Sequence, residues 1–340
     1  MHLPPAPAAT PLPPVDLAHV LALAGPDLRS LDGARLFLTG GTGFFGRWLV
    51  ATWVAAQREL GLHGELHVLS RAPRTGTHPG LHFLEGEQTG FPFPAGSFDG
   101  IIHGAVDQAT PEVTFWGNLQ GCRRVLALAG ASGARRFLLT SSGAAYGPQP
   151  AGLDRIPETH LGTPDPLDPR QAYGLAKRAC EALCATFPWG PRAGFVVARG
   201  FAFHGPGLPL DRNLAMGNFL RDALGTGPIC LQGDGTPRRS YLYAADLAVH
   251  LWALFVRGRS GQAYNLGSEE DLSILELAER VRDLVAPGRE LRVAATLRPG
   301  TAISRYVPST RKAEEELGLK PIVGLDEGIR RTAAWHRAQA

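Results

Sequence analysis

The chain has 340 residues, 44% of them hydrophobic, enough to bury a substantial core in one large domain or two smaller ones. Its 34 basic and 31 acidic residues leave a net charge of +3 and are spread without a basic block, which argues against nucleic acid and leaves room for a weakly positive cleft around an anionic small molecule. No apolar run approaches the roughly 20 residues that span a bilayer, and the Pro-rich start lacks the basic-then-apolar layout of a signal peptide; the expectation is a cytoplasmic protein with no membrane partner.

Residues 1–14 carry six prolines and read as a flexible or polyproline-like arm. Over 15–33, Leu17, Val20, Leu21 and Leu23 recur at helical spacing, with Gly25-Pro26 predicted as a break. From residue 34 strands and helices alternate: strand 34–39, helix 45–59, strands 65–70 and 98–103, helix 113–131, strand 135–141, helix 171–187, strand 194–201. Such alternation predicts an α/β fold, a Rossmann-type doubly wound parallel sheet with helices on both faces. After 201 the rhythm loosens: Gly and Pro cluster at 205–209 and 225–237, and late helices are predicted at about 272–285 and 310–317. The expected division is a sheet domain over 34–204, rejoined by 241–267, and a smaller C-terminal α+β lobe of 205–240 and 268–335.

Cys122, Cys180, Cys184 and Cys230 show no paired metal-ligand spacing and read as reduced thiols. The histidines are scattered, and His103 and His204 read as packing or polar-network residues, so no metal is expected.

The run Thr39-Gly40-Gly41-Thr42-Gly43-Phe44-Phe45-Gly46 joins a short apolar strand to a helix. Glycines at 40, 43 and 46 suit a sharp turn whose backbone approaches a pyrophosphate, with the amides of the new helix aimed at the phosphates. Alone, the pattern equally fits an ordinary tight turn.

Farther along, Tyr173 and Lys177 stand four residues apart, on one face of a helix. A cation beside a phenol favours the phenolate, and a phenolate is a base for an alcohol proton. The same ammonium can bond the ribose hydroxyls of a nicotinamide cofactor. Ser142 ends the strand before that helix, at the carboxyl edge where parallel sheets bind ligands, and its hydroxyl can hold the reacting oxygen.

In combination the glycine turn, Ser142, Tyr173 and Lys177 resemble the extended branch of the short-chain dehydrogenase/reductases, the NAD-dependent epimerase/dehydratase family acting on nucleotide sugars, over about residues 34–325. The resemblance implies an NAD(P)-binding Rossmann domain and catalysis by Ser142, Tyr173 and Lys177. Gly40, Gly43, Phe44, Phe45 and Gly46 would border the cofactor, as would Gly104 and Ala105 at the end of a fourth strand. Asn118 matches a structural helix asparagine, and Asp246 a helix-start acid. Arg239 and Arg298 match arginines that hold the substrate diphosphate, a task suited to a planar, permanently charged fork. The resemblance also implies a homodimer through the helix of Tyr173, whose Leu175, Ala176, Ala179 and Leu183 either join the contact or face the sheet.

Three departures narrow the reaction. Relatives that dehydrate or decarboxylate carry an acidic residue directly after the serine position, where this chain has Gly143 and Ala144. Hydride transfer at C4 needs only Ser142, Tyr173 and Lys177, so 4-epimerisation or 4-keto reduction leads. Ala202 replaces a substrate-binding asparagine; Asn213 and Asn218 are candidates for its task, or ordinary helix-cap or surface residues. The second strand ends in Ser70-Arg71, with Arg74 close behind, rather than in the carboxylate that selects NAD, which favours NADP. The competing functions are an NADP-dependent reductase of a non-sugar ketone, which leaves Arg239 and Arg298 without a diphosphate, and a non-catalytic cofactor sensor.

Overall fold

The computed structural model describes residues 11–71, 78–212, 214–295 and 303–339. Elements follow in the order α1 (Pro14–Arg29), β1 (Arg35–Thr39), α2 (Phe44–Leu60), β2 (Glu65–Ser70), β3 (Leu81–Glu85), β4 (Gly100–His103), α3 (Pro111–Ser132), β5 (Arg136–Ser142), α4 (Ala172–Thr186) and β6 (Gly194–Gly200). There follow β7 (Phe203–His204), α5 (Ala215–Leu224), β8 (Ile229–Leu231), β9 (Arg238–Ser240), β10 (Leu242–Tyr243), α6 (Ala244–Arg257) and β11 (Gln262–Leu266). The chain ends with β12 (Asp271–Ser273), α7 (Ile274–Val285), β13 (Leu291–Val293), β14 (Arg305–Tyr306), α8 (Arg311–Leu317) and α9 (Leu325–Arg337). The chain divides into two compact units, one of residues 1–147, 161–200 and 248–264, the other of 148–160, 201–247 and 265–340.

A seven-stranded sheet in the order β11-β6-β5-β4-β1-β2-β3 organises the first unit. From β3 to β6 every pair is parallel. Strand order therefore reverses between β1 and β4, and their carboxyl ends, Thr39 and His103, lie in register. On one face Phe37, Ile101, Phe137 and Val197 of the strands pack against Val125, Leu126 and Ala129 of α3 and Cys180 and Cys184 of α4. Each buried Phe, Ile, Leu or Val among them contributes roughly 1.5–3 kcal/mol through area removed from water. Farther from that cluster, Trp53 of α2 stacks on Trp252 of α6 with ring centroids 5.9 Å apart.

Helix α3 starts two residues before the expected 113, because Thr110 caps it: Thr110 Oγ1 accepts from Val113 N, and Pro111 follows at the first helical position. The sequence expectation fails in several places. Helix α1 continues through Pro26 to Arg29 instead of breaking there, and Pro14, taken as part of the arm, opens it. Leu12 is buried, and residues 1–10 lie outside the described ones. Strand β3 escapes detection because its five residues alternate only between exposed and half-buried at the sheet edge. Helices α5 and α9 were also unforeseen, and α6 was foreseen only through its helix-start acid Asp246; α6 is buried along nearly its whole length, so no polar face marks its period.

In the second unit β9 pairs antiparallel with β12 and parallel with β14, and β8 pairs with β13. Asp246, in the first turn of α6, accepts from the amides of Ile322 and Val323 at 2.8 and 2.9 Å, tying that helix to the approach to α9.

Candidate active site

The site candidates of the first unit gather at the carboxyl edge of its sheet. Gly40 follows β1 with φ +75°, and a Cβ there would stand 2.5–2.6 Å from backbone atoms of Gly104 and Ala105. Only glycine fits that combination. Gly43 is the N-cap of α2, Phe44 and Phe45 follow it, and Gly46 is buried in the first turn. The first intrahelical bond runs from Arg47 N to Gly43 O, so the amides of residues 44–46 have no acceptor within the helix.

The turn is locked to β4 through Thr39. Its Oγ1 accepts from the amides of Gly104 and Ala105 at 3.2 and 3.1 Å and lies 2.7 Å from His103 Nδ1. With its lone pairs so engaged, the hydroxyl donates to Nδ1, which assigns the ring proton to Nε2. Burial, helped by the charge of Lys177, pushes His103 down to about 3, so the ring is neutral at physiological pH.

On β5 the hydroxyl of Thr140 donates to His103 O at 3.1 Å, while its carbonyl accepts from Lys177 Nζ at 2.8 Å. Lys177 is 4% exposed, and among the described residues Thr140 O is the one hydrogen-bond acceptor its ammonium reaches. Nζ lies 5.9 Å from the ring centroid of Tyr173, which confirms that the two share a face of α4. Ser142 ends β5 and accepts from Ala144 N at 3.1 Å, opening a 3-10 turn over Gly143–Tyr146. Gly174, next to Tyr173, meets the carbonyl of Ala144 so closely that a Cβ would overlap it. The start of α4 thus lies against the turn that Ser142 opens.

At the sheet edge Ser70 is buried and Arg71 exposed. Glu85 of β3, in register with Ser70, supplies a carboxylate at that end which the sequence analysis missed along with the strand. Asn118 ties α3 to the loop before it: Nδ2 donates to Asp107 O and Thr114 O, and Oδ1 accepts from Asp107 N. Of the α4 apolar residues, Ala176 is buried and Leu183 packs on the core, leaving Leu175 and Ala179 half-buried. Glu65, His67 and His82 bring three potential metal-ligating atoms within 4.8 Å of one another. However, Arg35 Nε donates to Glu65 Oε2 at 3.0 Å and to His67 Nε2 at 3.2 Å, so a guanidinium already holds that corner.

In the second unit Arg239 lies on β9, with Nη1 on Arg238 O at 2.7 Å and on Ser304 O at 3.4 Å. Among the described residues no carboxylate pairs with it, and burial lowers its pKa. Asn218 lies inside α5, where its Oδ1 meets Arg221 at 3.4 Å; Leu214, not an asparagine, is the N-cap. Asn213, Arg298 and Arg74 lie outside the described residues.

Among the described residues no helix is long and apolar enough to cross a membrane. The sequence is 33% identical over 223 residues to UDP-glucuronic acid decarboxylase 1 of Arabidopsis thaliana, covering 65% of this chain and 49% of that protein. UDP-glucuronic acid decarboxylase 6 of the same plant is 28% identical over 304 residues, 87% of this chain and 86% of the relative. The chain spans about half the length of the first of these relatives. Among solved structures, UDP-glucose 4-epimerase of Thermotoga maritima superposes with a TM-score of 0.75 at 22% identity, covering 90% of this chain and 99% of that one. The dTDP-glucose 4,6-dehydratase of Streptomyces venezuelae, solved with NAD bound, gives 0.74 at 25% identity, covering 89% and 97%. A sequence model of the NAD dependent epimerase/dehydratase family matches residues 36–267, and the chain belongs to that family.

Proposed function

We propose that the chain binds a nicotinamide dinucleotide and oxidises or reduces C4 of a nucleotide-linked sugar, as a 4-epimerase or a 4-keto reductase. The observation that carries this reading is the buried ammonium of Lys177, bonded to Thr140 O and facing the ring of Tyr173, on the sheet edge shared with the glycine turn. A buried cation with donors to spare is costly without an acceptor, and ribose hydroxyls answer that need. The cradle at Gly40, closed to any Cβ, and the first-turn amides of α2, which precede the helix's own bonding, fit a pyrophosphate.

When bound, the nicotinamide ring accepts and returns hydride. Tyr173 takes the proton of the C4 hydroxyl in the oxidative direction and returns it in the reductive one. Ser142 donates a hydrogen bond to the same oxygen, and the Lys177 ammonium stands 5.9 Å from the centroid of the Tyr173 ring. In the second unit, the half-buried Arg239 supports a diphosphate-holding role, with Arg298 proposed as its companion on the resemblance alone. Asn213 and Asn218 remain candidates for sugar contacts on the same ground. A homodimer is proposed through α3 and α4; α3 exposes Val113 and Trp116, at 46% and 54%.

NADP is the proposed form, because the β2 end offers Ser70 and the exposed Arg71 to a 2′-phosphate. Glu85 opposes that preference, since its carboxylate shares the edge.

Decarboxylation is the second reading, favoured by 33% identity to a UDP-glucuronic acid decarboxylase. It begins with the same C4 oxidation, and a 4-keto uronic acid, being a β-keto acid, loses carbon dioxide readily. Against it stand Gly143 and Ala144, which bring no acid into the turn after Ser142.

Native mass spectrometry, followed by turnover assays with UDP-, dTDP-, GDP- and CDP-sugars including UDP-glucuronic acid, tests the proposal. Retained NAD with interconverted C4 epimers supports the epimerase, exchangeable NADP the reductase, and release of carbon dioxide the second reading. Binding of no nicotinamide dinucleotide contradicts all three.

A further inference from the structure

Behind the serine, tyrosine and lysine runs a second polar network that none of the proposed chemistry uses. Glu181, one helical turn beyond Lys177 on α4, accepts from the hydroxyl of Ser141 at 2.5 Å. Arg199 of β6 grips the same carboxylate with a fork, Nε at 3.0 and 3.2 Å and Nη2 at 2.5 Å. Both side chains are largely buried, with 16% and 12% of Arg199 and Glu181 exposed. Burial alone would lower the pKa of Arg199, yet the Glu181 carboxylate holds it above its ordinary value.

The pair brackets Ser142 in sequence. Before it stands Ser141, bonded to Glu181 and in register with Arg199 across β5 and β6. After it runs the 3-10 turn to Tyr146, whose ring lies 4.6 Å under the guanidinium of Arg199. Glu181 shares a helix with Tyr173 and Lys177. One ion pair therefore reaches the residue before the serine, the turn after it and the helix of the other two groups. A salt bridge this buried gives little net stability against an apolar substitute, whereas an error of about 1 Å in a reacting group can cost a hundredfold in rate.

We propose that Glu181 and Arg199 are positioning residues that set Ser142 against Tyr173 and Lys177. This rests on the C4 reading above for its kinetic part only. The test compares full-length wild type with Glu181→Gln, Arg199→Lys and Ser141→Ala, the last leaving the ion pair intact and so guarding against a mere folding defect. Each protein carries 3-fluorotyrosine at position 173 for ¹⁹F spectra, and its unlabelled form is assayed on whichever sugar nucleotide wild type converts.

Wild type is expected to show one sharp fluorine line, and all three variants a shifted or split one. Turnover is expected to fall about 10- to 100-fold in Glu181→Gln and Arg199→Lys and about 5-fold in Ser141→Ala, with KM and nicotinamide-dinucleotide affinity within about threefold. An unchanged fluorine line in the variants, or a changed one with turnover within twofold of wild type, overturns the positioning role. If wild type converts no sugar nucleotide while the variants still move the line, the C4 reading fails and the positioning of Tyr173 stands.

Discussion

Lys177 Nζ donates to Thr140 O at 2.8 Å while lying 5.9 Å from the centroid of the Tyr173 ring, so one buried ammonium binds α4 to the last residues of β5. Removing the charge separates its two tasks. Lys177→Met keeps the unbranched stem up to the nitrogen and removes the donor to Thr140 O, a loss of about 1–3 kcal/mol offset by relief of the buried cation. The variant should melt close to wild type, lose at least roughly 100-fold in turnover and bind nicotinamide dinucleotide about 10-fold more weakly. Steady-state kinetics, tryptophan-quenching titration and calorimetry check these three values.

Gly40→Ala places a methyl group against Gly104 and Ala105 at a backbone φ of +75°. Strain and overlap together should cost about 2–4 kcal/mol. Denaturant unfolding should show the loss, and cofactor affinity should fall with it because the turn and the end of β4 move apart.

His204 carries a pH prediction. Its ring is wholly buried in the second unit against Tyr243 and Gly328, neither ring nitrogen has a hydrogen-bond partner among the described residues, and burial pushes it from 6.5 to about 3 despite the opposing pull of Asp246. The folded form is neutral while the unfolded chain takes a proton below 6.5. Stability is therefore full above that value and declines as pH falls toward 3, by at most about 5 kcal/mol for this ring. His103 adds a loss of the same sign over the same window. His204→Leu should stay within about 2 kcal/mol of wild type at neutral pH, and the slope of stability against pH below 6 should fall by about one bound proton. Urea unfolding at a series of pH values measures both.

Arg239 stands half-buried with carbonyls and an aromatic ring as neighbours. Arg239→Gln should weaken sugar-nucleotide binding about 10- to 100-fold, the worth of a charge-assisted pair, and leave nicotinamide-dinucleotide affinity unchanged. Isothermal titration with the free nucleoside diphosphate and with the cofactor separates the two.

Local patterns made much of this legible in advance. The glycine turn lies between an apolar strand and an amphipathic helix within twelve residues, and the four-residue spacing of Tyr173 and Lys177 needs only a helix to bring them together. Thr39 on His103, Lys177 on Thr140 and Glu181 on Arg199 were not foreseen. Each joins elements far apart in sequence, and its geometry follows from strand order and register, which periodicity does not report. Strand β3 and Glu85 were missed because a half-exposed edge strand carries too weak an alternation, and that omission left out the carboxylate in register with Ser70.

The central claim concerns Tyr173 and hydride at C4. Sugar nucleotides deuterated at C4 and incubated with wild type should pass the label to the nicotinamide, and Tyr173→Phe, folded and binding cofactor normally, should pass it at least roughly 100-fold more slowly. A wild type that neither labels the nicotinamide nor inverts the deuterated C4, or a phenylalanine variant that breaks the C4–D bond equally fast, contradicts the account.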